Sequence, residues 1–337
     1  MKRTTPTVKG PRRIFFICGL TLLLLLLFAG GFLFLAPLFE RDRGEVVEGS
    51  ADWMGQLPDH LKLNEINIPG THDSAACFVQ MAYFTKCQNK TISGQLQAGF
   101  RYLDIRLAVE KDRLILTHGS MRCKRDSQLM SSALYLEDVL QECRTFLQQH
   151  PTEAVLFCVK QESGEESTLD FQNLLHRYIN TAPSVWLLTD SFPTLEEARG
   201  KLVLLRRYED ASGRGEQSGI DFRWEDQGNR EQTELSLAQS RSAAFPLWVQ
   251  DRYHYESDQK WTAFLEGLKQ APGGKDTLSL HFLSTAGSAF VGHPYGYAKD
   301  LNKRFLLYEG MPDTCAWVIM DFGTAPLAAK IYERNLP

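Results

Sequence analysis

The sequence predicts an α/β protein: a single (β/α)8-like, TIM-type barrel, regular or irregular, preceded by an N-terminal transmembrane helix. Three observations predict it. From Trp53 to the C-terminus, short apolar runs rich in β-branched and aliphatic residues alternate with amphipathic stretches, as strands and helices do around a parallel sheet. Eight such runs occur, the number that closes a barrel of this type. Ahead of them, Ile14 to Phe39 carries no charged residue and includes the run Leu22 to Leu27, long enough to cross a bilayer.

Residues 1–13 form a basic tail, with Lys2, Arg3, Lys9, Arg12 and Arg13 and no acid. Cytosolic flanks carry such an excess, so the N-terminus is expected in the cytosol and the remainder on the luminal or extracellular side. Residues 14–39 are read as a retained signal anchor. A cleaved signal peptide competes, because Ala29-Gly30-Gly31 and Leu35-Ala36-Pro37 offer small residues; the domain would then be secreted. Signal h-regions are shorter, roughly 7–15 residues, which favours the anchor. Residues 40–50 are charged and lack apolar periodicity, as a stalk does, and 51–337 form the barrel.

Strands are expected at Glu65–Ile68, Tyr102–Leu107, Leu114–His118, Ala154–Lys160, Leu202–Arg207, Leu247–Gln250, Leu278–Phe282 and Trp317–Asp321. Tyr135 to Gln149 places Leu136, Val139, Leu140, Cys143, Phe146 and Leu147 on one helical face. Thr168 to Ile179 does the same with Leu169, Leu174, Leu175 and Tyr178, and Trp261–Leu268 and Leu327–Tyr332 are shorter helical candidates. Between Tyr208 and Ser240 the pattern dissolves into Gly, Ser, Gln and charged residues, which predicts long surface excursions.

Setting aside the tail's five basic residues leaves 32 Lys and Arg against 41 Asp and Glu, a net charge of −9. An acidic domain is not drawn to nucleic acid by its overall field. Cys77, Cys87, Cys123, Cys143, Cys158 and Cys315 follow the anchor. An oxidising compartment permits disulfides among them, but their connectivity is not readable from sequence. Cys158, inside an apolar run, reads as a buried thiol. No CxxC or Cys/His spacing suggests zinc. Asn89-Lys90-Thr91 is a glycosylation sequon if it faces the lumen.

Chemistry concentrates at strand ends, where barrels of this kind build their sites. His72 and Asp73 follow the first candidate strand, Asp104 and Arg106 sit late in the second, and His118 ends the third. Lys160 and Arg207 end the fourth and fifth, Asp251 and Tyr253 follow the sixth, and Asp321 ends the eighth. Two imidazoles and a guanidinium are the equipment for splitting a phosphodiester: one group takes a proton, one gives a proton, and a fixed cation holds phosphate oxygens. Arg206 and Arg207 point opposite ways in a strand, so only one faces such a pocket. Bland readings stand beside these: Asp321 as a helix N-cap, Lys160 as a solvated strand end, and His60, His150, His176, His254, His281 and His293 as structural or surface residues.

Ile68-Pro69-Gly70-Thr71-His72-Asp73-Ser74, then Asp104-Ile105-Arg106, then His118-Gly119 resembles the catalytic X domain of phosphatidylinositol-specific phospholipase C in its compact bacterial form. The likeness continues through Val159-Lys160-Gln161-Glu162, Gly200 to Tyr208, Val249-Gln250-Asp251-Arg252-Tyr253 and Trp317 to Phe322, in the family's order, from about Trp53 onward. The resemblance implies that His72 is the general base for the inositol 2-hydroxyl, supported by Asp321. His118 would be the general acid for the diacylglycerol oxygen, oriented by Asp73. Arg106, supported by Asp104, would stabilise the phosphoryl oxygens. Lys160, Arg207, Asp251 and Tyr253 would line the inositol pocket, and the first product would be a cyclic inositol phosphate. Calcium-dependent relatives gather carboxylates where Arg106 stands, so the resemblance implies metal-independent catalysis without a cofactor. Asp210 to Gln239 matches nothing in the family pattern, and His293 to Tyr297 loosely resembles its aromatic rim.

The expected substrate is an inositol phospholipid in a membrane, or a glycosylphosphatidylinositol if the domain faces outward; protein partners are not readable. The competing reading is a non-catalytic or weakly active phosphoinositide-binding module. A glycerophosphodiesterase is a third, distinguished by its need for a carboxylate-held metal.

Overall fold

The computed structural model describes residues 11–336, apart from 43, 129, 229–230, 232–233, 273–275, 289–291 and 313–315. The chain divides into two units, Met1–Glu40 and Arg41–Pro337. In the first, helix α1 (Pro11–Leu35) leads into a 3-10 turn at Ala36–Phe39. Its Ile14, Phe15, Leu24 and Phe28 side chains are all more than half exposed. Twenty-five residues at a rise of about 1.5 Å each reach across a hydrocarbon core of about 30 Å.

The second unit opens with 3-10 turns at Ser50–Gln56 and Leu63–Glu65. Then come β1 (Ile68–Thr71), α2 (Ala82–Thr85), α3 (Ile92–Gln97), β2 (Tyr102–Glu110), β3 (Arg113–His118) and β4 (Met121–Arg122). Next are α4 (Leu136–Gln149), β5 (Val155–Ser163), α5 (Thr168–Thr181), β6 (Trp186–Leu187), α6 (Leu195–Ala198) and β7 (Leu202–Arg206). The chain ends with β8 (Ile220–Asp221), β9 (Ala238–Gln239), β10 (Leu247–Gln250), α7 (Ser257–Gln270), β11 (Leu278–Phe282), α8 (Pro294–Leu307), β12 (Ala316–Met320) and α9 (Ala325–Tyr332). Helix α4 forms because its apolar residues recur at helical spacing, and all six of the expected face are buried. The Asp138 carboxylate accepts from the Tyr135 backbone N–H at the start of that helix, and the Ser167 hydroxyl accepts from Asp170 N–H to cap α5.

The sheet runs β6-β7-β5-β2-β1-β12-β11-β10-β9, parallel throughout except for β9. Three expectations need correcting. The first strand lies at Ile68–Thr71 rather than Glu65–Ile68, because Leu63–Glu65 closes a 3-10 turn. The third run, Leu114–His118, is no barrel strand: only Lys111 and Asp112 separate β2 from β3, and so short a link makes an antiparallel hairpin, not a parallel crossover. Finally, the sheet does not close. Among the described residues no strand pairing joins β6, β7 or β8 to β9 or β10. The polar stretch after β7 spans the gap with side chains instead, Ser240 Oγ donating to Arg223 O and Gln227 Nε2 to Val249 O.

Strand alternation sorts the core into two apolar layers. Leu156 and Cys158 of β5 join Tyr102, Val203, Leu205 and Trp317 inside the sheet's curve. Val155, Phe157 and Val159 face outward onto Leu140, Phe146 and Leu175 of α4 and α5. Gly70 permits the close approach of β1 to both neighbours: a Cβ there would lie 2.3 Å from Ile319 Cδ1 and 2.8 Å from Tyr102 Cδ1. At the far end from the site residues, fully buried Arg101 pairs with Glu153 at 2.7 Å and donates to the carbonyls of Ser50 and Ala51. Cys18, Cys77, Cys87, Cys123, Cys143 and Cys158 are free thiols, and Cys158 is fully buried; Cys315 lies outside the described residues.

Candidate active site

The alternation that builds the core also aims the polar residues. Tyr102, Asp104 and Arg106 share one face of β2, Cys158, Lys160 and Glu162 one face of β5, and Val203, Leu205 and Arg207 the same face of the next strand. Arg106 pairs in register with Lys160, and Arg207 N–H donates to Val159 O, so three cations line up across three strands. Arg206 faces the other way and pairs with Asp221 at 3.2 Å.

His72 continues the ladder after β1, its N–H donating to Met320 O at 2.9 Å. The chain then turns sharply at Asp73, whose φ of 40° lies in the left-handed region. Asp104 holds that turn: its Oδ2 accepts from Asp73 N–H at 3.1 Å and its carbonyl from Ser74 N–H at 2.9 Å. Asp321 leaves the end of β12 beside it. His118 arrives differently from the expected strand end. Strand β3 runs back along β2, and this return brings the ring level with the Asp104–Arg106 stretch.

The two imidazoles stand 6.1 Å apart between ring centres, at right angles. His72 Nδ1 lies 2.8 Å from Asp321 Oδ1, and His72 Nε2 lies 2.8 Å from Arg106 Nη2. A guanidinium can only donate. His72 Nε2 is therefore the acceptor, and Nδ1 carries the proton given to Asp321. For His118, Nδ1 lies 2.7 Å from Thr85 O and 3.7 Å from Asp73 Oδ2. A carbonyl can only accept, so this Nδ1 is protonated and donates.

Arg106 is held from three sides: Nε donates to Asp104 Oδ2 at 3.0 Å, Nη1 to Glu162 Oε1 at 3.1 Å, and Asp73 Oδ2 stands 3.7 Å away. Glu162 also pairs with Lys160 and accepts from Gly119 N–H. Burial acts to raise the Glu162 carboxyl, but Arg106 and Lys160 outweigh it and hold it at about 2. Burial would likewise raise Asp104, and Arg106 with Arg207 drives it far below the usual range. Asp73 differs. Burial raises its carboxyl and the neighbouring cations do not reverse this. Burial pulls His72 down, Asp321 pulls it up, and the net shift is upward. Four carboxylates, Asp73, Asp104, Glu162 and Asp321, thus face Arg106, Lys160 and Arg207, a balance that one protonated imidazole would neutralise.

Beside this cluster, Arg207 lies 3.7 Å from Asp104 Oδ1, with its guanidinium carbon 3.5 Å from the centre of the Trp224 ring. Trp224 Nε1 donates to Asp251 Oδ2 at 3.1 Å, and the Tyr253 hydroxyl donates to Asp226 Oδ1 at 2.5 Å. Gly228 lies against the Tyr253 ring, where a Cβ would come within 2.4 Å of Cζ. Arg207, Asp251 and Tyr253 thus meet one segment, Trp224 to Gly228, which lies in the stretch expected at the surface, while Lys160 pairs with Glu162. Trp224 and Asp226 carried no periodic signal and could not be found. Glu162 could have been: it stands two residues past Lys160 on the same strand face. Asn89 is half-buried with its Oδ1 enclosed, and the Thr91 hydroxyl of its sequon caps α3. Cys87, unassigned from sequence, places its sulfur beside both histidine–carboxylate pairs.

Residues 66–208 match the family described as phosphatidylinositol-specific phospholipase C, X domain. The chain is 30% identical over 310 residues to the 1-phosphatidylinositol phosphodiesterase of Staphylococcus aureus (strain Newman), covering 84% of this chain and 94% of that protein. A 1-phosphatidylinositol phosphodiesterase of Listeria monocytogenes is 30% identical over 163 residues, 45% of this chain and 47% of that one. In structure, the phosphatidylinositol-specific phospholipase C of Staphylococcus aureus superposes with a TM-score of 0.69 at 24% identity, over 86% of this chain and 98% of that chain. The Listeria monocytogenes enzyme gives 0.61 at 24% identity, over 85% and 98%. The fold is shared with both.

Proposed function

This chain belongs to the phosphatidylinositol-specific phospholipase C X-domain family, and we propose that it is itself a metal-independent phosphodiesterase acting on phosphatidylinositol or glycosylphosphatidylinositol lipids. One observation carries the reading: the two imidazoles stand 6.1 Å apart in complementary states, one whose Nε2 lone pair accepts from Arg106 and one with Nδ1 engaged as a donor. His72 Nε2 takes the proton of the inositol 2-hydroxyl as that oxygen attacks phosphorus. His118 gives a proton from Nε2 to the departing diacylglycerol oxygen. Arg106 swings its Nη2 from His72 to the phosphoryl oxygens, a short move for a fork already anchored by Asp104 and Glu162. Asp321 supports the imidazolium formed at His72, and Asp73 the one present at His118. Lys160, Arg207, Asp251 and Tyr253 hold the inositol ring, and the cyclic phosphate product is later opened by water.

A pocket kept only for binding has no use for this division of protons between two rings, which disfavours the module reading. Helix α1 acts in this account as a membrane anchor, with the catalytic unit on the luminal or extracellular side, where glycosylphosphatidylinositols are available. Incubating the full chain with each lipid in the presence of EDTA tests the proposal. Release of cyclic inositol phosphate or its glycan counterpart supports it; release of neither, with folded protein, overturns it.

A further inference from the structure

We infer that Cys87, His118 and Asp73 form a latent site for a thiophilic divalent cation, zinc above all, and that its occupancy shuts down the acid–base pair. Cys87 Sγ lies 3.7 Å from His118 Nδ1, and His118 Nδ1 lies 3.7 Å from Asp73 Oδ2. All three ligand atoms fall within 4.8 Å of one another. Tetrahedral zinc, with bonds of about 2.3 Å to sulfur and about 2.0–2.1 Å to nitrogen or oxygen, separates its ligand atoms by roughly 3.3–3.6 Å. The two 3.7 Å edges of this triangle are within a few tenths of an ångström of that spacing.

A second observation is independent of the distances. Asp73 is fully buried, yet neither of its carboxylate oxygens accepts a hydrogen bond. Arg106 Nε and His118 Nδ1 approach Oδ2 only to 3.7 Å, beyond hydrogen-bond reach, and a directly bound cation would supply the contact that these buried oxygens lack. The same sulfur also lies within 4.8 Å of the ligand atoms of His72 and Asp321. Cys87 thus sits between two histidine–carboxylate pairs, and a thiolate with a carboxylate offers two negative charges to a divalent ion. Sequence spacing could not reveal this set, since the turn after β1, the loop before α3 and the β2–β3 hairpin each supply one ligand.

Binding releases the thiol proton and the Nδ1 proton of His118 to solvent, and the metal takes their place. The bond from His118 to Thr85 O is given up. The metal then occupies the position of the proton that makes this ring an imidazolium, so the ring no longer serves as an acid. That consequence rests on the function proposed above; the site itself does not.

The test is a titration of the full chain, in detergent under reducing conditions, with cobalt(II). The expected result is a thiolate-to-cobalt charge-transfer band with tetrahedral visible bands at one equivalent, both erased by zinc. Cys87→Ser should abolish the charge-transfer band, and Cys77→Ser and Cys143→Ser should keep it. Zinc K-edge absorption on the unaltered chain should show a single sulfur among nitrogen and oxygen ligands, whether or not Cys87→Ser folds. An absent band, a band that survives Cys87→Ser, or a shell without sulfur overturns the site. An inactive chain that shows the spectrum keeps the site and removes the enzymatic reading. An active chain without the spectrum does the opposite.

Discussion

At His72, hydrogen-bond chemistry fixes the proton more firmly than any titration does, because Arg106 leaves Nε2 no choice but to accept. His72→Ala and His118→Ala should each lower kcat/KM by roughly 10²–10⁴-fold, while binding of phosphatidylinositol vesicles persists; equal loss of binding would assign these rings to recognition instead. The pH profile adds a sign. Burial pulls His72 down, Asp321 more than compensates, and a base must be neutral, so the acidic limb of kcat/KM should lie above pH 6.5. Asp321→Asn removes the upward pull, and the limb should move to lower pH as the maximal rate falls. A limb that stays in place would mean that another group sets it. For stability the signs are opposite at the two kinds of group. The raised His72 contributes below its ordinary range and its contribution is lost as pH rises through its folded pKa; Glu162, held at about 2, contributes above the usual carboxylate range and fades as pH falls toward 2. Period-two reasoning made the Arg206 and Arg207 orientations legible. Trp224 and Cys87 were not, since loop residues that meet a site only through tertiary contact leave no local pattern.

Element by element, the helices and most strands were readable because burial selects apolar residues at the right period, as in α4 and β5. The departure of β3 from the expected barrel strand has a simple cause. A strand's own composition does not say which way it runs; the length of the link before it does, and two residues dictate a hairpin. That hairpin matters, because it alone carries His118 back beside Asp73. Two variants probe the scaffold apart from the chemistry. Glu153→Ala leaves the Arg101 guanidinium buried without its carboxylate, and should cost about 3–5 kcal/mol, read from denaturant midpoints. Gly70→Ala forces a Cβ between Ile319 and Tyr102 and should cost about 1–3 kcal/mol. Near-neutral results would show that the strands shift to accommodate the change.

Across the whole molecule, an apolar helix long enough to span a bilayer precedes an acidic α/β unit whose sheet stays open. The absence of closure was hidden from sequence because Tyr208 to Ser240 has no period to read, and among the described residues side-chain hydrogen bonds, with no strand pairing, bridge the gap. Anchoring predicts that the full chain, reconstituted into vesicles of phosphatidylcholine without inositol lipid, floats with them and that a chain cut after Glu40 does not; flotation of both would move membrane attachment to the α/β unit. The proposed mechanism requires two imidazoles and a guanidinium to act together on one phosphate without a metal. Phosphorus NMR of phosphatidylinositol vesicles, with the full chain and EDTA, reads this directly. The prediction is a growing cyclic inositol phosphate signal with the natural chain and almost none with His72→Ala. No cyclic product from a folded natural chain, or equal product from both, would contradict it.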